Sequence, residues 1–509
     1  MIEVKDTGIK SYHPDMDGDP LYVTKGNCHY SHEGTKDFLD YITAYQPEDG
    51  GVTFLVNTFR GAKAQVKIRF VSPTAFRFQM FPHLVQPKLN EVFGFAPVSG
   101  VQVTEESLFI VVKTERVTLR LRKCPWEMTV ELDGELLTME QIKDHNVDQK
   151  YKAVPVGFTV GDDGRILNAF ETMYMYCDEA FYGFGEKFTS FNKRGQKITV
   201  WQQDAQSTNS DVSYKGMPYF MSSEGYSVLM NTYTRTHFNM GASSGVSYTM
   251  ETEDPYLDYY MFCNRDYKGL IRDYTALSGR SAMIPRWAFG FWMSRMSYMS
   301  RQEVEEIVDQ MAKFGMSVDV IHIDGWLDTM QPDGGKELLC FDEKRFPDPE
   351  GMIQSLREKG IHLSLWMFPY VHAVDREGRF SNQFKIMNER GYLVKNQKGE
   401  PYLFSPGEGD AGNWKVAALD FTNPEFVAYM KERVKRLMRM GVGVIKTDFS
   451  EEIPEDAVMY DGSTGLESHN KYTLLYAKTI YEASREAKEE MGQKALLWGR
   501  SGYAGSQNY

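Results

Sequence analysis

In the run Val442-Gly-Val-Ile-Lys446-Thr-Asp448-Phe-Ser-Glu451, a stretch of buried-strand type ends in a lysine and a carboxylate two residues apart. Side chains alternate across a strand, so Lys446 and Asp448 project to the same side, where the ammonium favours the ionised carboxylate. A carboxylate held in this way is prepared as a nucleophile or as an electrostatic stabiliser. Whether it acts depends on the elements that carry it.

Those elements read as a repeating unit of helix and strand. Ser300 and Glu303 form a capping box, Val304, Ile307, Val308, Met311 and Phe314 fall at helical spacing, and Gly315 closes the helix before a strand, Val318 to Asp324. Asp348-Pro349 opens a second helix that Gly360 ends, and Ile361 to Trp366 follows as a strand. Asn423-Pro424 opens a third, marked by Phe426, Met430, Val434 and Leu437 and terminated by Gly441 before the Lys446 strand. A fourth, from about Tyr472 to Met491, leads into Ala495 to Arg500. With Phe289 to Met293 counted first, five strands leave Trp292, Asp324, Trp366, Lys446 with Asp448, and Trp498 with Arg500 at or near their C-terminal ends. In a parallel barrel those ends converge on the face where such barrels place active sites. A single strand-end carboxylate could be an ion-pair partner or a cap, but five coincident ends are hard to explain that way. His322 and His362 fall within strands and read as hydrogen-bonded core residues, since no second His or Cys sits at metal-ligand spacing.

The first half of the chain differs in kind. Ala64, Val66, Ile68 and Phe70 alternate with polar residues, as do Val117, Leu119 and Leu121, and Asp133-Gly134 and Asp163-Gly164 look like hairpin turns. Strand and turn signals continue to about residue 270 without a comparably long amphipathic helix, which predicts an antiparallel β-sandwich. The expected organisation is therefore multidomain: a β-sandwich over 1–280, a boundary near Ser281 to Pro285, and an α/β barrel domain over 281–509 with an insertion around 375–420.

Composition agrees. With 42% hydrophobic and 14% aromatic residues the chain can bury large cores, and a net charge of −13 argues against nucleic acid as a partner. Trp and Tyr faces suit the C–H surfaces of pyranose rings, although most will be ordinary core residues. The start Met1-Ile-Glu-Val does not resemble a signal peptide, and no apolar run approaches a membrane span. Five cysteines without a C-x-x-C pair suggest a reducing compartment and no structural zinc. The expected location is cytoplasmic, with no membrane partner and with homo-oligomerisation left open.

From about Phe181 onward the sequence resembles glycoside hydrolase family 31, the retaining α-glycosidases that include α-xylosidases and α-glucosidases. The resemblance is carried by Gly183-Phe-Gly-Glu-Lys187, Trp201-Gln-Gln-Asp204, Tyr214-Lys-Gly-Met-Pro218, Pro285-Arg-Trp-Ala-Phe-Gly-Phe-Trp292, His322-Ile-Asp324, Phe346-Pro-Asp-Pro349, Asp420-Phe-Thr-Asn-Pro424, Lys446-Thr-Asp448, His469-Asn470 and Arg500-Ser-Gly. It implies a galactose-mutarotase-like sandwich followed by a (β/α)₈ TIM barrel and then smaller β-domains. It also implies that Asp448 is the catalytic nucleophile and that Glu451 is a carboxylate close to it, taken with it as catalytic. Asp324 and Asp204 would hydrogen-bond sugar hydroxyls, Asp204 from a sandwich loop, and Trp366, Lys446, Trp498 and Arg500 would line the same pocket. For Asp204 a turn-capping role is the alternative. Gln202-Gln203 replaces an Asn common in the family, and Ser450 stands where α-xylosidases commonly have Gly.

The physical roles are consistent with this. Glycosidic cleavage needs one carboxylate charged and another protonated, with Lys446 beside the first; Arg500 supplies a fork of donors to a hydroxyl or an acidic substituent. No metal or organic cofactor is required. The family's proton-donating Asp follows Arg-Ser-Gly on the next strand, typically in a Trp-Gly-Gly-Asp-like run, and no such run occurs before Tyr509. Pro285 to Tyr509 is also shorter than the ~250 residues of a typical barrel. The expectation is a C-terminally truncated chain with only the first five barrel strands and no normal turnover. The expected activity of the parent is hydrolysis of terminal non-reducing α-linked sugars of an oligosaccharide or α-glycoside, through a covalent glycosyl-aspartate. α-Xyloside leads, because of Lys-Thr-Asp-Phe; α-glucosidase and sulfoquinovosidase are alternatives, and a non-catalytic carbohydrate-binding homologue is the alternative class.

Overall fold

The computed structural model describes residues 5–7, 30–84, 86–140, 155–205, 211–330, 335–374, 378–406 and 415–509. The chain forms two compact units. One comprises Met1–Trp201, Asn209–Asp211 and Gly216–Gly279; the other comprises Gln202–Thr208, Val212–Lys215 and Arg280–Tyr509.

The first unit is built from two antiparallel sheets, one of fourteen strands and one of five. Its local logic is period two. Lys63–Ser72 buries Ala64, Val66, Ile68 and Phe70, and Val117–Lys123 buries Val117, Leu119 and Leu121. Ala75–Pro82 is buried at every position, as a strand covered on both faces must be. The sheets meet through Phe54 and Trp126, whose rings stand edge to face with centroids 5.9 Å apart. Asp133 and Gly134 both have positive φ, the conformation that a two-residue hairpin between Trp126–Leu132 and Glu135–Met139 requires. One element departs from the all-strand expectation: Tyr267–Ser278 is a helix, capped by Asp266 and packed with the Tyr274 ring 4.3 Å from Tyr219. Tyr267, Leu270, Ile271, Tyr274 and Leu277 do fall at helical spacing, so the signal was present in a single short segment among strands.

The second unit follows the helix signals closely. Arg301–Lys313 is capped by Ser300, Pro349–Glu358 by Asp348, and Pro424–Met440 by Asn423, with Gly441 at φ 109° ending the last. Gly465–Glu490 begins earlier than the apolar pattern suggests, because Thr464 and Glu467 form a complete capping box at its start. Between the helices lie five parallel strands, Trp292–Ser294, Val320–Ile323, His362–Met367, Val444–Thr447 and Leu497–Gly499. They are neighbours in chain order, as a (β/α)₈ barrel requires. The first strand is shifted from its expected place: Arg286–Phe289 is a 3₁₀ turn entered through the extended Pro285, so Trp292 opens the strand instead of closing it. The segment between the third and fourth strands carries its own helix, Asn382–Glu389, and a small antiparallel sheet of Tyr370–His372, Val416–Ala418 and Leu403–Phe404. Much of the expected insertion around 375–420 is thus ordered structure; residues 375–377 and 407–414 lie outside the described residues.

The parallel register fixes what shares a level. Trp366 is paired with Lys446, and Lys446 with Trp498, so these side chains leave the sheet at one height; His322 and Ser364 form the level beneath. Among the described residues no helix is long and apolar enough to cross a membrane, and Cys124, Cys177, Cys263 and Cys340 form no disulfide.

Thr464→Ala removes one half of the capping box and is expected to cost about 1 kcal/mol. Amide hydrogen exchange in the first turn of Gly465–Glu490 should accelerate accordingly, and unchanged exchange at Glu467 and Ser468 would refute the assignment of that cap.

Candidate active site

Asp448 leaves the fourth strand with one carboxylate oxygen, Oδ2, accepting from Trp366 Nε1 at 2.7 Å and lying 3.5 Å from Lys446 Nζ. Its other oxygen, Oδ1, accepts from the Phe449 amide at 3.2 Å and from Arg500 Nη1 at 3.4 Å. Both oxygens are therefore fixed by donors from three strands, with the side chain only 12% exposed. Lys446 is shared. Its ammonium also lies 3.9 Å from Asp324 Oδ1 and sits over the Trp498 ring at 5.3 Å from the centroid. The two-residue spacing of Lys446 and Asp448 thus places both on the pocket side of the strand.

Asp324 shows the same spacing at work on the second strand. His322, two residues before it, meets Asp324 Oδ1 through Nε2 at 2.8 Å and Ser364 Oγ through Nδ1 at 2.8 Å. His322 is buried and satisfied, as expected of a core histidine, but its partner is a pocket carboxylate. It acts as a positioning residue that the sequence reading set aside; the signal was its i, i+2 relation to Asp324, identical to that of Lys446 and Asp448. His362, at the start of its strand and partly exposed, stacks on Trp287 with centroids 4.2 Å apart.

Arg500 joins the rest. Its Nη2 is ion-paired with Asp204, its Nη1 with Asp448 at 3.4 Å, and its Nε lies 3.0 Å from Glu451 Oε1. The guanidinium is held between the faces of Tyr214 and Phe449, 4.7 and 4.4 Å from their centroids. Burial works against the charged guanidinium, but the carboxylates of Glu451, Asp204 and Asp448 outweigh it and hold its pKa above the usual arginine value.

Asp204 is in place because its loop is clamped within the same unit. The Gln202 amide donates to Asn470 Oδ1 at 3.0 Å, Gln202 Nε2 donates to the Gly502 carbonyl at 2.8 Å, and the Asp204 amide donates to Glu452 Oε1 at 2.9 Å. His469 faces two carbonyl oxygens, Ile453 through Nδ1 and Gln202 through Nε2, both at 2.6 Å. Both contacts are satisfied together only when the ring carries both protons. Asp204 thus lies on a loop between the sandwich strands Lys197–Val200 and Gly216–Ser222, and the contacts of that loop group it with the barrel unit.

Glu451 requires a correction. Its side chain is fully buried, accepts from Ser501 Oγ, and lies against Arg500, so it cannot touch a substrate and is not a reacting carboxylate. Burial pushes its carboxyl up to about 7, with Arg500 and the Ser501 hydroxyl pulling the other way. It positions Arg500 and the turn after Asp448. That turn is unusual: Phe449 and Ser450 both have positive φ, 60° and 97°. Left-handed backbone at Ser450, where glycine would be unstrained, aims the Asp448 strand end and returns the chain toward Glu451.

Residues 281–509 match the family model for the glycosyl hydrolases family 31 TIM-barrel domain, and residues 65–239 match that for the glycosyl hydrolase 31 N-terminal galactose mutarotase-like domain. The chain is 32% identical over 410 residues to the α-xylosidase XylQ of Lactiplantibacillus pentosus, covering 80% of this chain and 50% of that protein. It is 32% identical over 338 residues to an α-xylosidase of Emericella nidulans, covering 65% of this chain and 41% of that one. It thus spans about half the length or less of these relatives. The cycloalternan-forming enzyme of Listeria monocytogenes has a similar fold, with TM-score 0.81 at 22% identity, over 94% of this chain and 45% of that one. An α-xylosidase from a soil metagenome gives a TM-score of 0.71 at 23% identity, over 93% and 66%. With both domain models matched in order, and with strand-end chemistry gathered at one face of the barrel sheet, the chain belongs to glycoside hydrolase family 31.

Proposed function

We propose that the protein is a retaining α-glycosidase that cleaves terminal non-reducing α-linked sugars, with α-xylosides preferred. The observation that carries this is the Asp448 carboxylate, whose two oxygens are fixed by Trp366, Lys446, Arg500 and the Phe449 amide. A carboxylate so oriented can attack an anomeric carbon in line; the glycosidic C–O bond breaks as the aglycone oxygen takes a proton from a second acid, and water, giving up a proton to that group, then cleaves the glycosyl-aspartate and restores Asp448. Asp324, Asp204, Trp366 and Trp498 surround the sugar: the carboxylates accept from hydroxyls and the indoles cover C–H surfaces.

The preference for xylosides rests on the two 32%-identical relatives, both α-xylosidases, and on the Lys446-Thr-Asp448-Phe context. An α-glucosidase of Bacillus thermoamyloliquefaciens and a sulfoquinovosidase of Escherichia coli are similar at lower identity, 27% and 26%. Arg500 weighs against a sulfonated substrate, because its guanidinium is already taken by Asp204, Asp448 and Glu451. A purely binding role would give no reason to fix both oxygens of Asp448. Asp204 and Glu451 are engaged by Arg500, and Asp324 by His322 and Lys446, so none of these is free to serve as the proton donor. We accordingly expect residues 1–509 alone to lack normal turnover on aryl α-xylosides, and robust hydrolysis by them would overturn this.

Protein from the full reading frame, treated with a fluorinated α-xylosyl donor, should gain one sugar mass on the peptide containing Asp448, and Asp448→Asn should lower kcat by roughly 10⁴-fold or more. An unchanged mass together with an active Asn variant would exclude Asp448 as nucleophile.

The raised pKa of Glu451 gives a pH dependence of known sign. The folded protein keeps this proton up to about pH 7, whereas the unfolded chain releases it near 4.5, so folding takes up a proton between these values. Stability is then lost as pH rises through that window, by on the order of 3 kcal/mol from this group. Glu451→Gln should remove that slope, and an identical pH–stability curve for the variant would show the carboxyl to be ordinary. Ser450→Gly should raise stability by about 1 kcal/mol through relief of the left-handed backbone while leaving KM unchanged. A drop in melting temperature would contradict it.

A further inference from the structure

Outside the pocket, one cluster of ligand-type side chains has no role in the reaction. His237 lies in the strand Thr236–Asn239, Glu253 directly follows its antiparallel neighbour Ser247–Thr252, and His32 comes from the turn just before Thr35–Glu48. His237 Nε2 is 3.1 Å and His32 Nε2 is 3.4 Å from Glu253 Oε1, and one ligand atom from each residue lies within 4.8 Å of the other two. Ligands at 2.0–2.1 Å on a tetrahedral ion stand about 3.3 Å apart, which the two contacts bracket.

The surroundings are those of a held site. His237 Nδ1 meets Thr199 Oγ1 at 3.1 Å, which turns Nε2 toward Glu253. Glu253 is fixed from behind by Arg235 Nη1, 3.0 Å from Oε2, and Arg235 is itself stacked on Trp201 at 4.2 Å. The turn bearing His32 is tied down next door, where the Ser31 amide donates to both oxygens of the buried Glu251 at 3.1 Å. His32 Nε2 is shielded from solvent and lies 3.4 Å from Glu253 Oε1. Two ring nitrogens turn onto one carboxylate oxygen, and the second imidazole's other nitrogen and the carboxylate's other oxygen are each held from behind, which is the arrangement of a metal-ligand set. Arg235 opposes a cation electrostatically, and its pairing with Glu253 Oε2 partly offsets that charge.

We propose that His32, His237 and Glu253 bind a divalent ion of the zinc class, with a fourth position left to water, and that this ion clips the segment at residue 32 onto the sandwich. Two imidazoles and a carboxylate select Zn²⁺, Co²⁺ or Ni²⁺ over Mg²⁺ or Ca²⁺. The ligands are scattered along the chain, so no spacing motif announces them.

The test uses untagged full-length protein, stripped with chelator and titrated with Co²⁺ while the visible d–d absorption is followed, then with Zn²⁺ in competition. Saturation at one ion per chain is expected, displaced by Zn²⁺, with His32→Ala and His237→Ala each weakening Co²⁺ affinity by about tenfold or more. Zn²⁺ should raise the melting temperature of the wild type and leave that of His32→Ala unmoved. His32 sits at the edge of the fold, so that variant decides the matter even if His237→Ala fails to fold. Absence of saturable uptake, or uptake unchanged in His32→Ala, would overturn the proposal.

Discussion

A single half-buried guanidinium organises the pocket. Arg500 reaches three carboxylates that belong to different segments: Asp204 on a clamped loop, Asp448 at a strand end, and Glu451 beyond a left-handed turn. Gathering three carboxyl groups in a partly dry space depends on such a cation, which offsets their mutual repulsion, although burial still leaves Glu451 protonated up to about pH 7. Arginine suits this position better than lysine. Its planar fork presents separate N–H edges to separate partners, and its faces are covered by Tyr214 and Phe449, which leaves it little freedom to follow a substrate. The pocket's charge pattern is thereby set before any sugar arrives.

A second contribution comes from strand register. Trp366, Lys446 and Trp498 share one level and His322 with Ser364 the level below, so groups distant in sequence become neighbours through backbone pairing alone. Asp448 is oriented by an indole and an ammonium from one level of the sheet and by Arg500 from the next strand. Such an arrangement requires little reorganisation when charge moves during reaction, which is where much of an enzyme's advantage lies.

Much of this was legible in the sequence. The caps at Ser300, Asp348 and Asn423 and the glycine at 441 announced three helices, because caps and periodicity are local signals. Lys446 and Asp448 were legible for a related reason: alternation along a strand depends only on the residues themselves. What was not legible depended on three dimensions. Glu451 read as a second active carboxylate because its burial is set by Arg500 and Ser501, some fifty residues on. That the Asp204 loop packs with the barrel unit was expected only from family resemblance, because the hydrogen bonds that hold it come from Asn470 and Gly502, far along the chain. His322 was placed correctly in a buried strand, yet its hydrogen bond to Asp324 gives it a part in the site.

The capture of the 202–208 loop by the barrel unit has an evolutionary corollary. A recombination event that joined a new N-terminal domain at residue 280 would look clean in sequence, yet it would remove Asp204 and leave Arg500 with one carboxylate fewer. The charge balance of the barrel unit therefore depends on a segment that lies well upstream of the residues that build its strands.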